Sequence, residues 1–237
     1  MIKPLLLKLI GALGYELRPR GQRVSLNGAL LQARQAGFAP RTVFDVGAAH
    51  GQFTKACAYV FPRARYLMIE PLEEFHGDLE RLSAAIPYSD IIKAVAAAKE
   101  GETVLNVHPD LVGSSIYSEN EDSDVNGSPR TVPVTTLDAI VQKDIPPPPC
   151  LIKADVQGAE MDVLEGAREV LAETEMVILE VSFFGFFKGA PQFVEVASRM
   201  ESLGFVVYDV FGLSHRPLDD ALAQADIAFV RKDGPLR

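Results

Sequence analysis

From residue 26 onward, short apolar runs alternate with amphipathic stretches. Residues 26–36 carry helical spacing and are closed by Gly37 and Pro40. An apolar run over 42–47 reads as a strand that stops at a glycine loop; a helix over 52–61 follows and ends at Pro62. A second strand over 65–70, a helix over 72–85 and a third strand over 90–96 repeat the unit. Apolar runs this short, separated by helices, predict parallel strands buried on both faces of a doubly wound sheet.

The alternation then breaks. Residues 103–108 and 131–135 look like β segments, and the stretch 109–130 between them is rich in Ser, Asn, Asp and Gly. Glu119, Glu121, Asp122 and Asp124 make it acidic, which fits a solvated loop, yet loops this long in compact domains often cover a binding site. Pro146 to Pro149 read as a short spacer. The pattern resumes with a strand over 151–156, a helix over 159–171, a strand over 176–181 and a helix over 192–203. The last strands, 205–210 and 227–231, have no long helix between them, so they should close the sheet as an antiparallel hairpin. The expected fold is α/β: a Rossmann-like, seven-stranded, mostly parallel, doubly wound sheet with an antiparallel closing strand. One domain over 40–237 should carry an insertion or lid at about 103–135, after an N-terminal helical segment over 1–39.

In that segment Leu5, Leu6, Leu9, Ile10, Leu13 and Leu17 recur at helical spacing, interrupted by Lys3, Pro4 and Lys8. The stretch is too short and broken to span a bilayer and lacks a cleavage site. It reads as a helix packed on the domain or on a second subunit, with weak membrane-surface contact as the alternative; the oligomeric state stays open. The 237-residue chain is 48% apolar and carries a net charge of −9, with no basic stripe, so no nucleic-acid partner is expected. Its two cysteines form no CxxC pair, which argues against a disulfide framework or structural zinc and points to a cytoplasmic protein.

The chemistry concentrates at strand ends. The run Val43-Phe44-Asp45-Val46-Gly47-Ala48-Ala49-His50-Gly51 is a strand entering a helix through a glycine turn, and Glu70 closes the next strand. An acid there suits a grip on ribose hydroxyls. A nicotinamide oxidoreductase is the rival, but its G-x-G-x-x-G brings backbone N–H groups to a pyrophosphate, and no G-x-G occurs here. S-adenosylmethionine (SAM) has no phosphate; it brings a sulfonium and an ammonium that Asp45 would help hold. His50 is either a solvent-facing loop histidine or a group near the cofactor's sulfur. On the fourth strand Lys153, Asp155 and Gln157 share one pleat. Charges in a central parallel strand are costly unless paired or functional, so an ion pair and an active-site cluster compete. Glu160 and Asp162 suit a helix N-terminus, and Glu180 ends the fifth strand. A non-catalytic SAM-binding module would keep Gly47 and Glu70 but would not need Lys153 and Asp155.

Together these residues resemble the FkbM family of SAM-dependent methyltransferases over about residues 40–232. The resemblance rests on VFDVGAAHGQFT, Glu70-Pro71, Ser114-Ser115, Thr136-Leu137-Asp138, LIKADVQGAEMDVLEGA over 151–167, and Asp226-Ile227-Ala228-Phe229-Val230. It departs in His50, which the family often has one place earlier, and in Gln157, where an acid is common. The resemblance implies a class I methyltransferase that methylates a hydroxyl, commonly of a sugar in a glycolipid, polysaccharide or natural product, so the expected partner is a small-molecule or glycan acceptor. Expected cofactor contacts are Asp45, Gly47, Ala48, His50, Gly51, Phe53, Glu70, Pro71, Ala94 and Val95. Ser114, Ser115 and Tyr117 should face the acceptor. Asp155 is the first candidate for base or substrate-orienting carboxylate, Lys153 would fix it or stabilise an alkoxide, and Glu180 is the third candidate. A divalent metal is compatible with these carboxylates but not required by the sequence.

Overall fold

The structure is a computed structural model that describes residues 24–120, 126–142 and 147–237. The N-terminal helix expected around Leu5 to Leu17, the acids Glu121, Asp122 and Asp124, and Pro146 lie outside the described residues.

Helix α1 (Leu26–Gln35) starts where the Ser25 hydroxyl accepts the Gly28 N–H at 3.2 Å, and it buries Ala29, Leu30 and Ala33. Strand β1 (Thr42–Val46) is buried at every position. It is followed by α2 (Gln52–Val60), β2 (Arg65–Ile69), α3 (Glu73–Ala85) and β3 (Ser89–Ile92). After an inserted region come β7 (Cys150–Ala154), α5 (Glu160–Glu165), α6 (Arg168–Ala172), β8 (Thr174–Ser182), α7 (Phe193–Ser202), β9 (Phe205–His215) and β10 (Leu222–Arg231). The sheet order is β3-β2-β1-β7-β8-β10-β9, with only β10 antiparallel to its neighbours. The seven-stranded sheet and its closing hairpin are as the sequence implies.

Alternate residues of each strand feed opposite layers. Phe44, Ile69, Ile152, Leu179 and Phe229 join one core with α5, α6 and α7. Val43, Tyr66, Leu151, Ile178 and Ala228 join the other, with Leu30 of α1 and Phe53 and Cys57 of α2. Burying both faces explains why these strands read as continuous apolar runs.

Two expectations are corrected. The strand expected over 90–96 divides: β3 pairs with β2, whereas β4 (Val95–Ala96) leaves the main sheet for β6 (Ser128–Thr135). With β5 (Gly101–Val107) these make a small sheet of order β4-β6-β5, and α4 (Leu137–Val141) follows. The helix expected over 159–171 breaks at Gly166. A side chain there would overlap the Ala97 carbonyl, and the Gly166 carbonyl accepts the Asp138 N–H at 3.1 Å. Asp138 Oδ1 in turn accepts the Glu169 and Val170 N–H groups, each at 3.0 Å, capping α6. Thr136 caps α4 through the Ala139 N–H at 3.0 Å. The Thr136-Leu137-Asp138 element is therefore a capping device that holds the inserted region to the main sheet.

Candidate active site

All the parallel strands end at one edge, and the glycine loop lies across it. Gly47 and Gly51 both have φ of +73°. A β-carbon on Gly47 would overlap the Asp155 carbonyl oxygen, so glycine is what lets the β1 and β7 ends meet. Glu70, at the end of β2, supports the loop: Oε2 accepts the Ala49 N–H at 2.8 Å and Oε1 accepts the Leu72 N–H at 2.9 Å. Burial raises its carboxyl above the usual range, against the pull of those two N–H groups. A carboxylate offers about four acceptor sites, so two remain.

A cavity of about 400 Å³ opens above this edge. At one end it meets Glu70, Pro71, Ala94 and Val95, with apolar walls from Leu72, Phe75 and Leu105; at the other it meets Asp155, Gln157 and Glu180. Leu111 to Ser114 and Ile116, from the inserted region, line it as well. A second cavity of about 270 Å³ is lined by Ala48, His50, Phe53, Lys153 and Asp226. The two share Gly47, Ala49, Val112 and Asp155.

Two expected cofactor positions line neither cavity. Gly51 packs against Leu79 and Leu82, and Asp45 is fully buried. Asp45 Oδ2 accepts the Thr54 hydroxyl at 2.7 Å and the Thr54 N–H at 3.1 Å, while Oδ1 has no hydrogen-bond donor among the described residues. His50 stands half exposed, its Nδ1 2.5 Å from Asp78 Oδ2 and its ring edge-on to Phe75 at 4.6 Å.

The three residues expected to face the acceptor do not act alike. Ser114 lines the larger cavity, but its hydroxyl donates to the Leu111 carbonyl at 2.6 Å and accepts the His108 N–H at 3.0 Å. Ser115 and Tyr117 line neither cavity. The Ser115 hydroxyl donates to the Gln157 carbonyl at 2.7 Å, and the Tyr117 hydroxyl donates to Asp162 Oδ2 at 2.9 Å. They tether the segment over the strand edge. Further along, Asn120 N–H bonds the Phe186 carbonyl at 2.7 Å and Lys188 N–H the Ser118 carbonyl at 2.8 Å.

Among the described residues, the charged cluster has one lysine at its centre. Lys153 Nζ lies 3.2 Å from Asp155 Oδ2, 3.7 Å from Asp45 Oδ1 and 3.2 Å from the Gly47 carbonyl, to which it donates. Burial disfavours its charge, but Asp155 and Asp45 outweigh that and hold it protonated above the ordinary lysine range. Lys153 thus pins the glycine loop to β7. Asp155 Oδ1 accepts the Gln157 amide at 3.1 Å. The same Gln157 nitrogen donates to Glu180 Oε2 at 3.0 Å, which also accepts the Gln224 amide at 2.8 Å. Glu180 Oε1 accepts nothing from the described residues. Burial pushes the Glu180 carboxyl up to about 8, reinforced by Asp155, Glu160 and Asp226 and opposed by Lys153. Glu160 Oε1 accepts the Val156 and Gly158 N–H groups at 3.0 and 3.2 Å, and burial pushes it to about 7. Burial and Asp155 push Asp226 to about 6.

Asp226 and Gln224 are functional candidates that sequence reasoning missed; within the inserted region, expected as a lid, it is Leu111 to Ser114 and Ile116 that line the cavity. Asp226 is an acid within the largely apolar strand β10, the same signal that singled out Asp155. Among the described residues, no group of three or more His, Cys, Asp or Glu is arranged to hold a metal ion. No helix among them is long and apolar enough to cross a membrane.

The residues present suit SAM: Glu70 has spare acceptor capacity at the cavity wall, and the Gly47 turn has no phosphate-binding fingerprint. Sheet order, glycine turn and strand-end acid define a SAM-dependent methyltransferase of the Rossmann-like class I type. The chain belongs to the methyltransferase FkbM domain family, which it matches over residues 45–207. No curated protein sequence matches it. Among solved structures it resembles magnesium protoporphyrin IX methyltransferase from Synechocystis PCC 6803 with bound SAM, at 9% identity and a TM-score of 0.50, covering 97% of this chain and 96% of that one. It also resembles an rRNA methylase from Streptococcus thermophilus, at 13% identity and a TM-score of 0.47, covering 90% and 99% respectively. At such identities the likeness is one of fold.

Proposed function

We propose that this methyltransferase transfers the methyl group of SAM to a hydroxyl oxygen, and that the acceptor is a neutral sugar hydroxyl in a small molecule or glycan. The observation that carries this reading is the composition of the larger cavity, with Glu70 at one end and Asp155, Gln157 and Glu180 at the other. Carboxylates and amides with unused hydrogen-bonding capacity suit hydroxyl groups, and the acidic surroundings repel phosphates. That lining also disfavours a nucleic-acid acceptor. Two buried, unpaired cysteines support a cytoplasmic setting.

Bound SAM supplies an electrophilic methyl on a sulfonium and leaves as the neutral thioether. As the new O–CH₃ bond forms and the S–CH₃ bond breaks, the acceptor hydroxyl loses its proton to a carboxylate. We assign that role to Glu180 rather than to Asp155. Asp155 engages both its oxygens, with Lys153 and Gln157, whereas Glu180 keeps Oε1 open and has a proton affinity raised toward the working pH. Asp155 orients the acceptor. Lys153, held in place by the Gly47 carbonyl and by ion pairs with Asp155 and Asp45, keeps the glycine loop in register and does not titrate in the neutral range.

The test is methyl transfer from isotopically labelled SAM to neutral glycans, phosphorylated sugars and RNA in parallel. Label should enter the neutral glycans at oxygen. The rate should rise with pH through about 8 as Glu180 ionises. Glu180→Gln should remove that limb and lower kcat by about 10²–10⁴. Label entering RNA alone, or full activity in Glu180→Gln, refutes the reading.

A further inference from the structure

Gln157 stands where three parts of the site meet. Its backbone is left-handed, with φ of +55°, a conformation non-glycine residues seldom adopt. The bend aims its side chain back between β7 and β8. One amide nitrogen with two hydrogens serves two carboxylates on adjacent strands, Asp155 at 3.1 Å and Glu180 at 3.0 Å. Its backbone carbonyl takes the hydroxyl of Ser115, which is almost completely buried, at 2.7 Å. Gly158 follows with φ of +96° and has no room for a side chain beside Phe187 and Ala190, so the turn that aims Gln157 is held from both sides.

We propose that Gln157 is the positioning residue of the methyl-transfer site. Its amide holds Asp155 and Glu180 in one arrangement and sets how readily Glu180 takes a proton, and Ser115, through the Gln157 backbone carbonyl, ties the turn that carries this amide to the cover segment. The inference rests on the assignment of Glu180 as proton acceptor, but its test does not.

The charges facing Glu180 are Lys153 and Asp155 from β7, Glu160 from α5 and Asp226 from β10. Three are acids, so the neutral amides of Gln224 and Gln157 that donate to Glu180 favour its ionised form, and that of Gln157 bonds Asp155 as well. Removing the Gln157 donor strengthens proton binding at Glu180.

The experiment follows the Glu180 carboxyl directly, by carbon-13 NMR of full-length protein labelled at glutamate side chains. The Glu180 resonance is assigned by its absence in Glu180→Gln. The wild-type midpoint should lie near 8. In Gln157→Asn it should rise by about one pH unit, the ordinary effect of losing a hydrogen bond to the charged form. Asparagine tolerates the left-handed backbone, so this variant loses reach rather than fold. Gln157→Glu should raise the midpoint further, and Ser115→Ala should raise it by a fraction of a unit through loosening of the turn. Unchanged midpoints in Gln157→Asn and Gln157→Glu overturn the proposal. If the midpoints move but Glu180→Gln still transfers methyl groups at the wild-type rate, the proton-acceptor assignment fails while the role of Gln157 in ordering the carboxyls stands.

Discussion

Replacing Lys153 with methionine keeps the length and apolar stem of the side chain and deletes its charge. Asp45 then loses the cation that faces it among the described residues. At an effective dielectric constant of about 20, the 3.7 Å contact with Asp45 carries a gross attraction of about 4.5 kcal/mol, and the 3.2 Å contact with Asp155 carries about 5 kcal/mol. Burial of the ammonium offsets most of this, and the Asp155 side chain, 32% exposed, is partly screened by water. What the variant leaves is a fully buried Asp45 carboxylate supported, among the described residues, by Thr54. Leaving a buried charge unpaired costs about 3–5 kcal/mol, or roughly 6–20 °C in Tm for a domain of this size. The pH dependence has a definite sign. Burial already holds the Asp45 carboxyl above its ordinary value, and losing Lys153 raises it further. The folded state then binds this proton more tightly than the unfolded state, so stability falls as pH rises from the unfolded aspartate value through the folded one. Lysine is charged in both states at neutral pH and adds no slope there. Urea unfolding at pH 5 and pH 8 should therefore show the larger loss at pH 8. Asp45→Asn combined with Lys153→Met should recover at least half of that loss. A loss below about 1 kcal/mol that is equal at both pH values would refute the argument that Lys153 neutralises the buried acid.

Two further outcomes follow from the glycine loop and its supporting acid. Glu70→Ala should weaken SAM binding by about 1.5–3 kcal/mol in calorimetry, roughly 10- to 150-fold in Kd, with Glu70→Gln losing less because it keeps one acceptor. Gly47→Ala sets a β-carbon against the Asp155 carbonyl and should abolish SAM binding and lower Tm sharply; Gly37→Ala, with φ of +98° and open space around it, should cost only about 1–2 kcal/mol and leave SAM binding intact.

Much of this site was legible in the sequence because strand ends are local features. A continuous apolar run interrupted by Lys153 and Asp155, or closed by Glu70, marks the functional edge whatever the strand order, since parallel strands bring their carboxyl ends together. The glycine spacing was equally local, because it sets how closely a backbone can approach a ligand. The sequence misled where a contact between distant segments overrides local preference. Periodicity ran one strand over 90–96 and one helix over 159–171, but pairing of Val95 with Val134 and the approach of Ala97 to Gly166 divided both.

The sequence alone determined the alternation of strands and helices and the class of sheet, and it singled out Gly47, Glu70, Lys153, Asp155 and Glu180 as candidates at the strand ends. Tertiary structure decided which of them meet. Insertion of antiparallel β10 beside β8 places Asp226 opposite Glu180 and brings Gln224 within 2.8 Å of it. The left-handed turn at Gln157 makes one amide serve two strands, and the inserted region uses Ser115 and Tyr117 to fasten itself down instead of pointing them into the cavity. Those contacts join residues dozens of positions apart, and their geometry is fixed by how layers pack and how buried polar groups find partners, which no local pattern encodes.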